Sequence, residues 1–197
     1  MKLYWAPQTR SSRAVWMLQE AGVDYEIATV DIRADDRHDS DEFRAASPMG
    51  KVPALVDGDV MMSESAAICL YVADRYSSGN LAPALDNSSR GRFLYWLMFT
   101  PAVIEPAMSE KFNDIEPNPG RSGWGSFDLM VKTMEKGLAG NRWLLDDKFS
   151  AADVMVGSSV VFMRMFDMLP DSPTLAEYAD RCLQRPAYQK AMALEEG

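Results

Sequence analysis

The chain has 197 residues, of which 47% are hydrophobic and 25% are charged, so it is long and apolar enough for one or two globular domains. Its formal net charge of −9 argues against a nucleic-acid partner, which needs a basic surface. No apolar run approaches the roughly 20 residues of a membrane helix, and no secretory signal follows Met1. We therefore expect a cytoplasmic protein that contacts neither membrane nor nucleic acid.

The residues that commonly bind metals are sparse. Two cysteines, Cys69 and Cys182, lack the spacing of a metal or redox motif. Cys69 falls on an apolar helical pattern, where we expect a buried free thiol. The single histidine, His38, lies in a charged stretch and is expected to be solvated, so no zinc or other metal site is predicted.

The first third of the chain begins with a strand, a helix and a second strand. Lys2–Ala6 is a short β-prone run that Pro7 ends. Ser11–Ala21 places apolar residues on one helical face, and Gly22 suits a C-cap. Tyr25–Val30 is the next strand. This order predicts two parallel strands joined by a helical crossover.

A short helix over Asp41–Ala46 is followed by a predicted β-hairpin. Two apolar runs, Val52–Val56 and Val60–Met62, flank the turn sequence Asp57-Gly58-Asp59. Pro53 has no N–H to donate, so it must start its strand or lie at an edge. The sequence thus predicts an open strand edge at Val52.

A third helix follows the hairpin. Ser63-Glu64-Ser65 precedes an apolar helical pattern that ends near Tyr76, and a serine at this place is an N-cap candidate. A strand edge can pair with an extended peptide, and a helix start can bind an anion. From these residues alone, an ordinary hairpin with an ordinary N-cap is the favoured interpretation.

The remainder of the chain is predicted to be helical. The linker, Ser77–Ser88, is rich in Ser, Gly, Pro and Asn. The predicted helices after it are Arg90–Lys111, Ser126–Leu138, Ser150–Met168, Leu175–Leu183 and Pro186–Glu195. Pro101 and Pro106 are expected to bend the first of these helices. The organisation predicted is therefore a domain at 1–76, a linker at 77–88 and an all-helical domain at 89–197.

One of these helix starts carries a capping box. Ser150 can accept from the N–H of Asp153, and the Asp153 carboxylate can accept from the N–H of Ser150. Such a box stabilises a helix by about 1 kcal/mol or more. We assign it a structural role and no catalysis.

Three stretches carry a family resemblance. The motifs GKVPALVDGD, from Gly50, and SESAAICLYVADRY, from Ser63, resemble the glutathione-binding half of cytosolic glutathione S-transferases. The helix RGRFLYWLMFTPAVIEPAM, from Arg90, resembles its counterpart in a bacterial branch of that family. The resemblance implies an α/β thioredoxin-like N-terminal domain followed by an all-α C-terminal domain. It also implies a homodimer, because family members usually are dimers.

The same resemblance implies a glutathione site. In this family the bond before the proline matching Pro53 is cis, and the preceding residue, here Val52, pairs its backbone with the cysteinyl part of glutathione. Residues matching Glu64 and Ser65 hold the γ-glutamyl end, which carries an ammonium and a carboxylate. Those groups suit a carboxylate and a hydroxyl at a helix start, respectively. Lys51 is the candidate for the glycine carboxylate.

The catalytic side chain is sought between the first strand and the first helix. Family members place a Tyr, Ser or Cys there to keep the glutathione thiol ionised, because the thiolate is the nucleophile. The serine position falls on Thr9, with Ser11 and Ser12 as rival hydroxyls. The cysteine position falls on Arg10, and Tyr4 matches the tyrosine only loosely. Thr9 or Ser11 can also be a plain N-cap, and a backbone N–H can serve the thiolate instead.

Positive charge near the site matters because glutathione is anionic and the protein is acidic. Arg10, Arg13 and Arg33 are candidates to supply it, with a solvated surface charge as the alternative for each. The electrophile site is expected to be apolar and to lie between two domains. Its candidates, each of which is otherwise a core residue, are Trp5, Phe99, Met108, Phe112 and Met163.

Three functional classes follow from the resemblance. The first is an enzyme that conjugates glutathione to a small apolar electrophile, with glutathione as co-substrate. The second uses the same site for isomerisation, thiol reduction or peroxide reduction. The third is a non-catalytic binding module with a transferase fold.

Overall fold

A computed structural model describes residues 1–34 and 39–195 of the chain, so His38 lies outside the described residues. Contacts divide the chain into two units, Met1–Leu81 with Arg185–Gly197, and Ala82–Gln184. The division differs from the predicted domains in that the end of the chain groups with the N-terminal unit.

The first unit contains a four-stranded mixed sheet. Its strands are β1 (Lys2–Trp5), β2 (Glu26–Thr29), β3 (Ala54–Asp57) and β4 (Val60–Ser63), in the order β2-β1-β3-β4. β1 is parallel to β2, while β3 is antiparallel to both β1 and β4. The predicted parallel pair and the predicted hairpin are thereby confirmed.

Three helices connect and follow these strands. They are α1 (Ser11–Ala21), α2 (Asp41–Ala46) and α3 (Ser65–Tyr76). Gly22 ends α1 in the left-handed conformation, with a φ of 64°. The order β-α-β-α-β-β-α is thioredoxin-like, as predicted.

A small core cluster joins the sheet to α2. Tyr4 of β1 packs with Phe43, Ala46 and Ala54, and the rings of Tyr4 and Phe43 are 5.0 Å apart. The Tyr4 hydroxyl donates to the carboxylate of Glu42. Tyr4 is therefore a core residue of the sheet, and its hydroxyl already has an acceptor.

The second unit is helical throughout its regular structure. Its helices are α4 (Arg90–Phe99), α5 (Glu105–Phe112), α6 (Phe127–Leu138), α7 (Ala151–Met165) and α8 (Pro173–Leu183). A π-helical segment, Thr100–Ile104, joins α4 to α5. Pro101 lies in this segment and Pro106 is the second residue of α5, and both prolines lack the N–H that regular helical bonding requires. The single helix predicted over Arg90–Lys111 is thus divided.

Close packing in the second unit depends on a glycine. A Cβ at Gly137 of α6 would lie 2.1 Å from the indole ring of Trp96 of α4. Real Cβ contacts are never this short, so only glycine lets these two helices approach as they do. The core of this unit includes most of α7, from Ala151 onward.

The last helix, α9 (Pro186–Ala193), packs against α1 in the first unit. Tyr188 meets Trp16 edge to face, with ring centroids 4.9 Å apart. Arg185 donates two hydrogen bonds to the Glu20 carboxylate, at 2.5 and 2.7 Å. These contacts explain why residues after Gln184 group with the thioredoxin-like unit.

Both cysteines are buried. Burial raises the pKa of the Cys69 thiol to about 12, which makes it unreactive. Within residues 1–34 and 39–195, no group of three or more His, Cys, Asp or Glu side chains is arranged to hold a metal ion. Over the same residues, none of the helices combines the length and the apolar character needed to cross a bilayer.

Candidate functional site

Three segments meet at one end of the sheet. The register pairs Tyr4 of β1 with Ala54 of β3, and Ala54 with Ser63 of β4. The carboxyl ends of β1 and β4 therefore flank the amino end of β3. As a result, the loop after Trp5, the Val52–Pro53 dipeptide and the start of α3 lie at the same end of the sheet.

The segment before β3 presents an unpaired backbone. Neither the N–H nor the C=O of Val52 makes a hydrogen bond to the described residues. The Val52–Pro53 peptide bond is cis, as the family resemblance implied. The buried Ser47 hydroxyl donates to the Lys51 carbonyl at 2.8 Å and accepts from the Lys51 N–H at 2.9 Å. The turn is thus held from behind while Val52 is open to a partner.

The start of α3 carries polar side chains that make no hydrogen bonds to the described residues. Glu64 is the N-cap, with φ 73° and ψ 118°, and its exposed side chain caps nothing. Ser65 is the first helical residue and is 8% exposed. Within the part of the chain described, neither side chain makes a hydrogen bond. The expectation that Ser65 is the N-cap is therefore wrong by one position.

The backbone of Glu64 is strained. A positive φ is unfavourable for a residue with a Cβ, and such strain costs about 1–3 kcal/mol. Strain of this kind concentrates at ligand sites, where the surrounding structure imposes it. Here the exposed Glu64 side chain stands at the positive end of the α3 dipole.

Lys51 contributes a positive charge, opposite in sign to that of the Glu64 carboxylate. Its side chain is exposed, and its ammonium has no ion-pair partner among the described residues. It directly precedes Val52. This end of the sheet therefore carries four groups without partners among the described residues. They are the Lys51 ammonium, the Val52 backbone, the Glu64 carboxylate and the Ser65 hydroxyl.

A hydroxyl network occupies the loop after β1. The Thr9 Oγ1 lies 2.7 Å from the carbonyl of Ala6 and 2.5 Å from the Ser11 Oγ. The Ser11 Oγ in turn donates to the Ala6 carbonyl at 2.9 Å and accepts from the Ala6 N–H at 3.2 Å. Two hydroxyls thus share the Ala6 carbonyl, and either hydroxyl can be the donor in the contact between Thr9 and Ser11.

These hydroxyls differ in how a ligand can reach them. Ser11 is 0% exposed, whereas Thr9 and Ser12 are half-buried. The Ser12 Oγ donates to the Thr9 carbonyl at 3.0 Å. The N-cap of α1 is Arg10, so neither Thr9 nor Ser11 acts as that cap. Thr9 is the hydroxyl of this network that is both accessible and supported by a second hydroxyl.

The other predicted residues are spread over both units. Arg13 is buried, whereas Arg10 and Arg33 are exposed. Trp5 is buried in the first unit, and in the second unit Phe99, Met108 and Met163 are also buried. Phe112 is 68% exposed. Of the five electrophile-pocket candidates, Phe112 alone is exposed.

Two features near the loop escaped sequence reasoning. The indole Nε1 of Trp5 is buried and has no acceptor among the described residues. The N–H of Gln8 donates to the carboxylate of Glu195, at the far end of the chain. Neither feature has a local sequence signal, because each depends on where a distant or neighbouring segment packs.

Comparisons with known proteins agree with this geometry. Residues 9–75 match the family model described as glutathione S-transferase, N-terminal domain. Glutathione S-transferase Z2 of Arabidopsis thaliana is 31% identical over 185 residues, which cover 87% of this chain and 80% of the plant protein.

Solved structures give the same result over almost the full length. A glutathione transferase of Methylococcus capsulatus is 30% identical with a TM-score of 0.82, covering 99% of this chain and 98% of its own. A sphingomonad glutathione S-transferase complexed with glutathione is 29% identical with a TM-score of 0.81, covering 100% and 99%. The chain belongs to the glutathione S-transferase family of enzymes.

Proposed function

We propose that this protein binds glutathione at this end of the sheet and transfers its thiolate to small apolar electrophiles. The observation that carries the proposal is the unpaired backbone of Val52 beside the unbonded side chains of Glu64 and Ser65. Val52 is half-buried and Ser65 is buried, and polar groups at such positions are normally paired, so leaving both open at one end of the sheet indicates a ligand.

Glutathione matches these groups in order. Its cysteinyl backbone can pair with Val52 as an added strand pairs with a sheet edge. Its α-carboxylate suits the Ser65 hydroxyl and the N–H groups of α3, and its ammonium suits the Glu64 carboxylate. Its glycine carboxylate suits Lys51. The sphingomonad relative, solved with glutathione, supports this choice of ligand.

Thr9 is our candidate for the group that stabilises the thiolate. When the Ser11 hydroxyl donates to Thr9 Oγ1 across their 2.5 Å contact, the Thr9 proton can turn from the Ala6 carbonyl to a ligand sulfur. The thiol proton leaves to solvent, and the hydroxyl proton then bonds to the anion. Such a bond is worth about 1.5–3 kcal/mol, enough to lower a thiol pKa by about one to two. A general base is not required.

The electrophile is the less defined half of the proposal. We propose that the apolar candidates Trp5, Phe99, Met108, Phe112 and Met163 include its contacts. Phe112 is the one that a ligand reaches without displacing other side chains. As in other members of the family, we expect a homodimer in the cytoplasm.

Binding is tested first, by thermal unfolding with and without glutathione. At a 100-fold excess over the dissociation constant, linkage adds about 2.7 kcal/mol of stability. Glu64→Ala or Ser65→Ala should remove most of that gain, while the matched control Ser150→Ala should keep it. A wild-type protein that shows no shift in millimolar glutathione contradicts the binding proposal.

Chemistry is tested by activity on a chlorinated nitroarene, a peroxide and a mixed disulfide. We expect the nitroarene to react fastest, because Arg10 stands where a cysteine would be needed to exchange with a mixed disulfide. Turnover of only the peroxide or the disulfide would reassign the site to reduction. Binding without turnover of any of the three would favour a non-catalytic module.

The role of Thr9 is tested by the thiolate absorbance of the glutathione complex against pH. Thr9→Ala should raise the pKa of the bound thiol, whereas Thr9→Ser should largely preserve it. Ser11→Ala should act less on the titration and more on stability, because its hydroxyl is fully buried on the Ala6 backbone. If Ser11→Ala moves the titration and Thr9→Ala does not, the role passes to Ser11.

A further inference from the structure

Trp5 ends β1, one residue before the backbone that holds the hydroxyl network. Its side chain is 7% exposed, and its indole N–H has no hydrogen-bond acceptor in residues 1–34 and 39–195. A buried donor without an acceptor is costly, and native proteins contain few of them. A purely apolar side chain at this position would carry no such donor.

The position of Trp5 on the strand gives the face of the sheet on which its side chain lies. Side chains alternate between the two faces of a strand, and Tyr4 packs against Phe43 of α2. Trp5 therefore lies on the opposite face, at the end of the sheet where α1 and α3 begin. This is the end that also presents Val52 and Ser65.

The neighbouring donors are engaged in a way that the indole is not. The Thr9 and Ser11 hydroxyls both lie within hydrogen-bonding distance of the Ala6 carbonyl, so a ligand sulfur must compete for their protons. The other fully buried indole of this unit, Trp16, donates to Glu20 at 2.8 Å. Of these four donors, Trp5 alone has no hydrogen bond within residues 1–34 and 39–195 that it would have to break to bind a ligand.

We propose that the Trp5 indole N–H donates a hydrogen bond to the sulfur of bound glutathione and helps to hold it as the thiolate. The inference rests on the proposed function, since it concerns the same bound ligand. An indole N–H cannot accept a proton, so it stabilises the anion without competing for the thiol hydrogen. A bond to a charged acceptor is about twice as strong as one between neutral groups.

The direct test is a ¹⁵N-edited NMR spectrum of the five indole N–H groups in the intact protein. Trp5→Phe assigns its resonance by loss. If that variant does not fold, Phe substitutions at the four other tryptophans assign it by elimination. Each sample is titrated with glutathione and with S-methylglutathione, whose thioether sulfur cannot become an anion. The Trp16 resonance is the internal control, because its N–H is already bonded to Glu20.

We expect the Trp5 indole proton to move downfield with glutathione and its shift to follow the pH titration of the bound thiol. S-methylglutathione should move it much less, and Trp16 should respond to neither ligand. In folded Trp5→Phe, the acid dissociation constant of the bound thiol should fall about tenfold or more. Trp16→Phe should leave that constant unchanged.

The two proposals fail in different ways. If neither ligand binds, the proposed function and this inference both fall. If both bind but the Trp5 resonance responds equally to them, or does not follow the thiol titration, the inference is wrong while glutathione binding stands. In that case the indole donates to ordered water or to another part of the ligand.

Discussion

Two helix starts in this protein contrast sharply. At the start of α7, Asp153 is 0% exposed, and its carboxylate accepts from the N–H groups of Ser150 at 2.9 Å and Leu144 at 3.0 Å. It also accepts from the Tyr178 hydroxyl at 3.0 Å. The capping box predicted at Ser150 and Asp153 is confirmed in both directions.

At the start of α3 the same kinds of side chain are left open. The side chains of Glu64 and Ser65 make no hydrogen bond to the described residues, and Glu64 has a strained backbone. Each start has an acidic residue and a serine, so the residue types do not explain the difference. What differs is whether the chain itself completes the hydrogen bonds.

The difference separates stability from binding. A completed cap contributes to folding whether or not a ligand is present. An open, strained start costs stability and is maintained only if something else uses it, which is the usual reason for strain at functional sites. We therefore expect substitutions at α7 to change unfolding and substitutions at α3 to change glutathione binding.

The largest effect should follow Asp153→Ala. It leaves two buried N–H groups and the Tyr178 hydroxyl without their acceptor, at about 1–3 kcal/mol each. We expect the free energy of unfolding to drop by about 4 kcal/mol in urea denaturation. A loss below about 1 kcal/mol would show that the hydrogen bonds of Asp153 contribute little to the stability of the fold.

The pH dependence of the unfolding free energy should also reflect the buried position of Asp153. Burial raises the pKa of Asp153 to about 6, although its four hydrogen bonds act to lower it. Between pH values of about 4 and 6 the folded state then holds a proton that the unfolded state has released. Stability from this group is therefore greatest below about pH 4 and falls as pH rises to 6.

Subtracting the pH profile of Asp153→Asn isolates this contribution. The difference in unfolding free energy between wild type and variant should decrease by up to about 3 kcal/mol over that window. A difference that instead increases with pH would mean that the hydrogen bonds outweigh burial and that the carboxylate is stable as the anion.

Ser150→Ala should have a smaller effect on the same helix. Losing one partner of the capping box costs about 1 kcal/mol, which lowers the melting temperature by about 2–4 °C for a chain of this size. Glutathione affinity of the folded protein should not change. If affinity falls while stability holds, the assignment of the box as purely structural is wrong.

The smallest effect concerns the strain at Glu64. Glu64→Gly and Glu64→Ala both remove the carboxylate, but only glycine adopts a φ of 73° without strain. In the absence of glutathione the Gly variant should be more stable than the Ala variant by about 1 kcal/mol, measured in urea. Equal stability would mean that the positive φ is not strained.

Much of the fold was predictable because its signals are local. The helix Ser11–Ala21 ends at a left-handed glycine, as its pattern indicated, and the Asp57-Gly58 turn forms its hairpin. The capping box at Ser150 is likewise local. By contrast, α9 was predicted as a helix but not as a partner of α1, since Trp16 and Tyr188 are far apart in sequence.

The site was predictable only in part, for the same reason. The motif around Pro53 indicated the open backbone at Val52, but our proposal of Thr9 over Ser11 depends on the hydroxyl network on Ala6, which no sequence pattern reveals. The cap position missed by one residue because Glu64 has a positive φ that sequence propensity argues against. The Trp5 donor had no sequence signal, because a lack of acceptors is visible only in three dimensions.

The central claim is that the start of α3 serves a ligand while the start of α7 serves the fold. Calorimetric titration of glutathione into wild type, Ser65→Ala and Ser150→Ala tests it most directly, at a temperature where all three are folded. We predict that Ser65→Ala weakens binding by about tenfold, as expected for a lost hydrogen bond to a charged group, and that Ser150→Ala binds like wild type. Wild-type affinity in Ser65→Ala together with weakened binding in Ser150→Ala would contradict the account.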